Sequence, residues 1–167
     1  MAVILITGGA RSGKSVRAET RAREFLGKPV YIATAEALDA EMRERIARHR
    51  ARRGRDWLER ETPLELVAAL GETDGAGARL VDCLTLWLSN LMHAERDWEK
   101  EGSLLMEALD RQISPVVLVT NEVGLGIVPD NALARRFRDA AGLLNQMIAR
   151  AADEVELVVA GLPMRVK

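Results

Sequence analysis

Residues 8–15 read Gly8, Gly9, Ala10, Arg11, Ser12, Gly13, Lys14, Ser15, and no other stretch constrains the fold of this chain as tightly. The run fits the spacing G-x-x-x-x-G-K-[ST]. It follows the aliphatic segment AVILIT and precedes VRAETRAREFLG, which has helical composition. A strand, a glycine-rich turn and a helix in that order make a cradle for phosphate. Glycines let the turn aim its N–H groups at phosphate oxygens, and the helix N-terminus adds partial positive charge. In such a cradle Lys14 reaches the β- and γ-phosphates of a nucleotide, and Ser15 places its hydroxyl on the magnesium ion that bridges them.

Five short runs predict strands: AVILIT (2–7), PVYIAT (29–34), RLVD (79–82), PVVLVT (115–120) and EVELVVA (154–160). Most do not alternate apolar with polar residues, as expected of strands covered on both faces. Between them lie segments of helical spacing. The clearest covers residues 132–151, where Leu133, Phe137, Ala140, Leu144, Met147 and Ile148 recur at three- and four-residue steps, with Asp130 or Asn131 available as N-cap. The expectation is an α/β fold with a mostly parallel central sheet flanked by helices, its ligands gathered beyond the carboxyl ends of the strands. At 167 residues the chain is expected to form one domain over 1–167. GETDGAGA (71–78) reads as a flexible glycine-rich connection at the surface.

Composition narrows the partners. Apolar residues make up 48%, charged residues 29%, and the net charge is −1, which speaks against disorder and against nucleic acid as the default partner. The single cysteine, Cys83, suits a reducing compartment such as the cytoplasm. No apolar run approaches the 18 or so residues of a membrane span, and the N-terminus lacks the basic start of a signal peptide.

Two further places carry chemistry. Asp82 ends the third expected strand, where a nucleotide site needs an acid in the magnesium shell; the competing role is capping of a helix that starts near Leu84. Residues 39–53, DAEMRERIARHRARR, predict a helix with Asp39 as N-cap, on which Met42, Ile46, His49 and Arg53 share a face. Residues 42–55 hold seven arginines against one glutamate. A solvated face is the ordinary explanation of a charge run, but an arginine cluster this unbalanced suits charge-assisted contacts to phosphate. Nearby cations favour neutral imidazole, the nucleophilic form, so His49 could attack the α-phosphorus of a triphosphate and hold the nucleoside monophosphate as a phosphoramidate. His93 has no such setting and reads as a helix-end or surface histidine. Glu122, after the fourth strand, is either a base for a substrate hydroxyl or a loop carboxylate paired with an arginine.

The stretches GGARSGKS, YIATAEALDAEMRERIARHRARR, VDCLTLWLSNL, VTNEVGLGIVP, RRFRDAAG, LNQ and AGLP together resemble the bifunctional adenosylcobinamide kinase and adenosylcobinamide-phosphate guanylyltransferase family of cobalamin biosynthesis, nearly end to end. The resemblance implies a P-loop NTPase of RecA-like fold that assembles as a homotrimer. It implies phosphorylation of adenosylcobinamide by ATP or GTP, then transfer of GMP from GTP to adenosylcobinamide phosphate through a guanylyl-histidine at His49. It implies nucleotide contacts at residues 8–15, at Ala33, Thr34 and Ala35, at Arg50, Ala51, Arg52 and Arg53, and at Glu61 and Asp82, with Mg2+ at Ser15 and Asp82. Leu143 stands where that family usually has arginine. Two other readings fit the loop alone: a kinase in which His49 is structural, and a RecA-like nucleotide-dependent switch or assembly module.

Overall fold

The structure is a computed structural model that describes residues 2–36 and 40–167. In chain order the elements are β1 (Val3–Thr7), α1 (Lys14–Arg23), β2 (Val30–Ala33), α2 (Ala40–Arg53), β3 (Leu58–Glu61), α3 (Leu66–Glu72), β4 (Arg79–Asp82), α4 (Leu84–His93), α5 (Trp98–Arg111), β5 (Val116–Val119), α6 (Ala132–Ala151), β6 (Glu154–Val159) and β7 (Leu162–Arg165). The strands form one sheet in the order β3-β2-β4-β5-β1-β6-β7, parallel except for β7.

Burial on both faces explains the unbroken apolar runs. Within β1, Val3 and Leu5 enter a core with Ile32, Leu118, Trp87, Leu88, Leu105 and Leu144, while Ile4 and Ile6 enter a second core with Ala18, Ala22, Val117 and Val119 on the opposite face. Helices α3 to α6 cover the first face, and α1 and Trp57 cover the second. All five expected strands are present. The two others are the edges: β3 (Leu-Glu-Arg-Glu) and β7 (Leu-Pro-Met-Arg) are exposed along their length. They carry the charges and the proline that blunt sheet edges, so an apolar-run search passes over them.

Helix α6 matches its expected range. Asn131 is its N-cap, with Oδ1 accepting the Ala134 N–H at 2.7 Å, and Ala140, Leu144 and Ile148 are buried. Leu133 departs from that stripe and is exposed, because the first turns of α6 extend past the sheet; Asn145, well inside the helix, is level with the end of β5, donating to the Asn121 carbonyl at 3.2 Å. Asp39, the expected cap of α2, lies outside the described residues.

The GETDGAGA segment is more firmly tied than its composition suggests. Gly71 and Glu72 end α3, and Gly77 and Ala78 are buried. A Cβ on Gly77 would stand 2.5 Å from the Lys28 carbonyl oxygen, so only glycine fits that approach. Asp74 accepts the N–H groups of Gly75, Ile113 and Ser114 and pairs at 2.9 Å with Arg79, whose side chain is fully buried. Burial opposes the Asp74 charge, but those N–H groups and the guanidinium outweigh it and hold the carboxyl below its ordinary range.

An Asp74→Asn variant leaves a buried guanidinium without its carboxylate, and a loss of about 3 kcal/mol in unfolding free energy is expected at neutral pH. The Asp74 contribution exists above the unfolded-state pKa and disappears as pH falls through the lower folded value. The gap between wild type and variant in denaturant titrations should therefore close below about pH 4.

Candidate active site

The phosphate loop is gripped from both sides. Gly8 accepts the Glu122 N–H at 3.1 Å from the loop after β5, and the Gly161 N–H of the β6–β7 turn donates to the Ser12 carbonyl at 2.8 Å. A Cβ on Gly8 would stand 2.5 Å from the Val158 carbonyl oxygen. Gly13 has φ 98° and lies where a Cβ would meet Gly161 Cα at 3.1 Å, so both backbone sign and space require glycine there. Arg11 also has positive φ, at 56°. Helix α1 begins at Lys14, directly after the loop, and the Lys14 ammonium donates to the Gly9 carbonyl at 2.8 Å. The Ser12 hydroxyl is buried without a hydrogen-bond partner, a cost that a phosphate oxygen would remove.

Helix α2 stands over this loop. His49, Lys14 and Ser15 line two adjoining clefts. One, of about 130 Å3, runs between α2 and the ends of β2, β3 and β4 and is lined by Tyr31, Ala33, Ala35, Met42, Ile46, Glu59, Glu61 and Asp82. The other faces the phosphate loop, with Ala10, Arg11, Ser12 and Gly13 on one side and Arg48 and Arg52 on the other. His49 thus occupies the join between a slot with apolar walls and the phosphate cradle. Its Nδ1 is 3.8 Å from Asp82 Oδ2. A carboxylate on that side favours the tautomer with hydrogen on Nδ1 and leaves the lone pair on Nε2.

Asp82 does not cap α4; the capping position belongs to Cys83, and no side chain bonds there. Its Oδ2 instead accepts the Tyr31 hydroxyl at 2.7 Å. Burial on its own would raise the Asp82 carboxyl, but the His49 imidazole, the Tyr31 hydroxyl and the Arg53 charge hold it below the ordinary carboxylate range. Burial first, then the Asp82 charge, push the Tyr31 phenol well above its usual value, so it remains a donor. Ser15 and Asp82 face one cleft with a hydroxyl and a carboxylate, a hard-oxygen pair that suits a magnesium ion retaining much of its water.

The arginine excess read from the local sequence is answered by acids from other elements. Arg52 grips Glu19 of α1 with bonds of 2.6 and 3.2 Å, Arg50 pairs with Glu59 and Glu61, and buried Arg53 reaches Glu59 at 3.0 Å. Arg53 also lies over the Tyr31 ring, 3.4 Å from its centroid, and its carbonyl accepts from Arg23. Glu59 is held below its ordinary range, chiefly by Arg50.

Of the residues expected at the site, residues 10–15 of the loop, Ala33, Ala35, His49, Arg50, Arg52, Arg53, Glu61 and Asp82 come together around the two clefts, while Gly8 and Gly9 line neither and instead accept from the Glu122 N–H and the Lys14 ammonium. Ala51 lies beside them in a groove with Ala35, Arg43 and Glu61. Thr34 does not face the cleft: it is buried, its hydroxyl donating to the Cys83 carbonyl and accepting the Cys83 N–H, both at 2.8 Å, which ties β2 to the corner after β4. Glu122 turns its carboxylate onto the Gly124 N–H at 2.6 Å, a loop-closing role, and Asn121 lines the cleft in its place. His93 is exposed at the end of α4, as expected. Sequence reading passed over Tyr31, Glu59, Glu19 and Asn121. Glu59 carried a usable signal, since it is two residues from Glu61 on one face of a strand; Tyr31, the one tyrosine, was hidden inside an aliphatic run.

Comparison with known proteins agrees with this architecture. The fold resembles that of flagellar accessory protein FlaH from Methanocaldococcus jannaschii, with a TM-score of 0.56 and 13% identity over 99% of this chain and 78% of that one. It also resembles a second solved structure, an ATPase domain, with a TM-score of 0.50 and 11% identity over 93% and 68% of the two chains. These likenesses identify the fold as RecA-like P-loop. In sequence, the chain is 49% identical to the bifunctional adenosylcobalamin biosynthesis protein CobP of Pseudomonas aeruginosa, over 98% of this chain and 96% of that protein. It is 43% identical to the bifunctional adenosylcobalamin biosynthesis protein CobU of Salmonella typhimurium and 42% identical to that of Escherichia coli, over 99% of each chain. Residues 4–166 match the family described as cobinamide kinase / cobinamide phosphate guanyltransferase, and the chain belongs to that family.

Proposed function

We propose that this one site performs two successive transfers in cobalamin biosynthesis. In the first, ATP or GTP gives its γ-phosphoryl group to the hydroxyl of the aminopropanol arm of adenosylcobinamide. In the second, Nε2 of His49 attacks the α-phosphorus of GTP, the bond to the bridging oxygen breaks, and pyrophosphate leaves. A phosphate oxygen of adenosylcobinamide phosphate then attacks the same phosphorus, the P–N bond breaks, and adenosylcobinamide-GDP forms while imidazole is restored. The observation that carries this reading is the place of His49, at the join of the phosphate cradle and the apolar slot, with Asp82 behind Nδ1.

Each neighbour has a task in this scheme. The loop N–H groups and Lys14 hold the polyphosphate, and Arg48 and Arg52 offset charge on the cradle side of His49. Asp82 orients the imidazole. The apolar walls at Ala33, Ala35 and Ile46 suit a purine, with Arg50 and Glu61 at the rim. Magnesium, held by Ser15 and the shell of Asp82, would neutralise charge between phosphates. Among the described residues no helix is long and apolar enough to cross a membrane; cytoplasmic location and assembly as a homotrimer are part of the proposal.

With GTP labelled at the α-phosphate, wild type should retain acid-labile, base-stable label, and His49→Ala should retain none. Guanylyl transfer in that variant should fall at least about a thousandfold while kinase turnover persists. A His49→Ala protein that still transfers GMP overturns the histidine step and leaves a kinase with a structural histidine. Lys14→Ala should depress both reactions, because both use the same cradle; this is read by running the kinase and transfer assays side by side.

A further inference from the structure

We propose that Tyr31 is the positioning residue of the histidine step: its hydroxyl holds Asp82 Oδ2 toward His49, and its ring seats Arg53 one turn further along the same helix. The proposal rests on the reading of His49 as nucleophile.

The placement follows from the sheet. Ala33 of β2 is in register with Asp82 of β4, so both side chains lie on one face. Tyr31, two residues before Ala33, shares that face and reaches the carboxylate with its phenol. The bond is 2.7 Å, and it ends on the oxygen that is 3.8 Å from His49 Nδ1. A carboxylate held by one short charge-assisted bond keeps its second direction fixed, which here points at the imidazole. The ring is itself immobilised: it is buried, and Trp57 meets it edge to face, with centroids 6.3 Å apart and planes at 86°.

The other half of the contact concerns α2. Arg53 and His49 are four residues apart on one helical face, and the Arg53 guanidinium lies 3.4 Å from the Tyr31 centroid. One side chain therefore sets both partners of the nucleophile, the carboxylate behind its ring and the helix turn that carries it. A displacement of about 1 Å in such an arrangement can cost on the order of a hundredfold in rate.

The test uses the full chain and GTP labelled at the α-phosphate, with the rate of label capture measured against GTP concentration. Tyr31→Phe keeps the seat for Arg53 and removes only the hydroxyl. It should slow capture at saturating GTP about tenfold and leave half-saturation within about twofold of wild type. Tyr31→Leu removes the seat as well, and should slow capture further while raising half-saturation about tenfold. Leu109→Val, a change in the core on the opposite face of the sheet that touches neither Tyr31 nor Asp82, should capture label at the wild-type rate. A Tyr31→Phe protein that labels as fast as wild type overturns the proposal alone, as does a Leu109→Val protein slowed as much as Tyr31→Phe. A wild type that takes no label overturns the histidine reading, and the role of Tyr31 with it.

Discussion

A parallel sheet buried on both faces has no side chain to spare along its length. Val3 and Leu5 are committed to one core and Ile4 and Ile6 to the other, and the same division holds for Val116 and Leu118 against Val117 and Val119. Chemistry is confined to the carboxyl ends, where the chain leaves the sheet and backbone groups come free. Strand order then decides which ends meet. Because β5 separates β4 from β1, Asp82 stands on one side of Asn121 and the phosphate loop on the other. The contacts that fix the loop come from the two strands flanking β1: Glu122 after β5 and Gly161 after β6. The cradle is therefore a property of the whole sheet and not of eight residues alone.

Helix α2 is held differently. Among the described residues its inner face offers the half-buried Met42, Ile46 and His49 and the buried Arg53, and its last turns are fastened through arginines to Glu19, Glu59 and Glu61. The pairs of Arg50 with Glu59 and Glu61, near the surface, are each worth about 1 kcal/mol or less, far below the burial of a core leucine, while Arg52–Glu19 and Arg53–Glu59 each join a partly exposed partner to a buried one. A helix fixed by such contacts is positioned by charge, in the region where an anionic nucleotide would arrive. Arg52 illustrates the consequence, since it grips Glu19 and also lines the cleft facing the phosphate loop. A guanidinium can exchange a carboxylate for a phosphate with little net change in pairing, so these acids keep the cluster compact without removing it from use.

The parts of this molecule that sequence reading could reach are those governed by local rules. The phosphate loop follows from backbone conformation, the five inner strands from two-sided burial, and α6 from its periodicity and the Asn131 cap. What escaped was non-local. The edge strands β3 and β7 bury nothing and owe their form to hydrogen bonds with a neighbour that the sequence does not display. The arginine cluster looked unbalanced because Glu19 is 33 residues from Arg52 and pairs with it only across the gap between α1 and α2. GETDGAGA looked loose because the Arg79 and Ser114 partners of Asp74 lie beyond it in sequence. Glu122, read as a base or as a loop carboxylate paired with an arginine, has its carboxylate on the Gly124 N–H, a contact set by the local turn that residue type alone does not display.

The proposed relay through His49 answers an electrostatic difficulty set by the substrates. The acceptor of the second transfer is a phosphate monoester, and its approach to an intact triphosphate would bring anions together; one pair of unit charges at 4 Å costs about 4 kcal/mol at an effective dielectric constant of 20. An imidazole nitrogen brings a lone pair and no negative charge to the α-phosphorus. Once pyrophosphate has left, the enzyme holds a single phosphoryl group on nitrogen, and the acceptor meets far less repulsion. Lys14, Arg48 and Arg52, which in this proposal would have bound the polyphosphate, line the cleft that the acceptor would then enter. One positive cradle would in this way serve a triphosphate and a monoester in turn, which would let the two proposed reactions share one site.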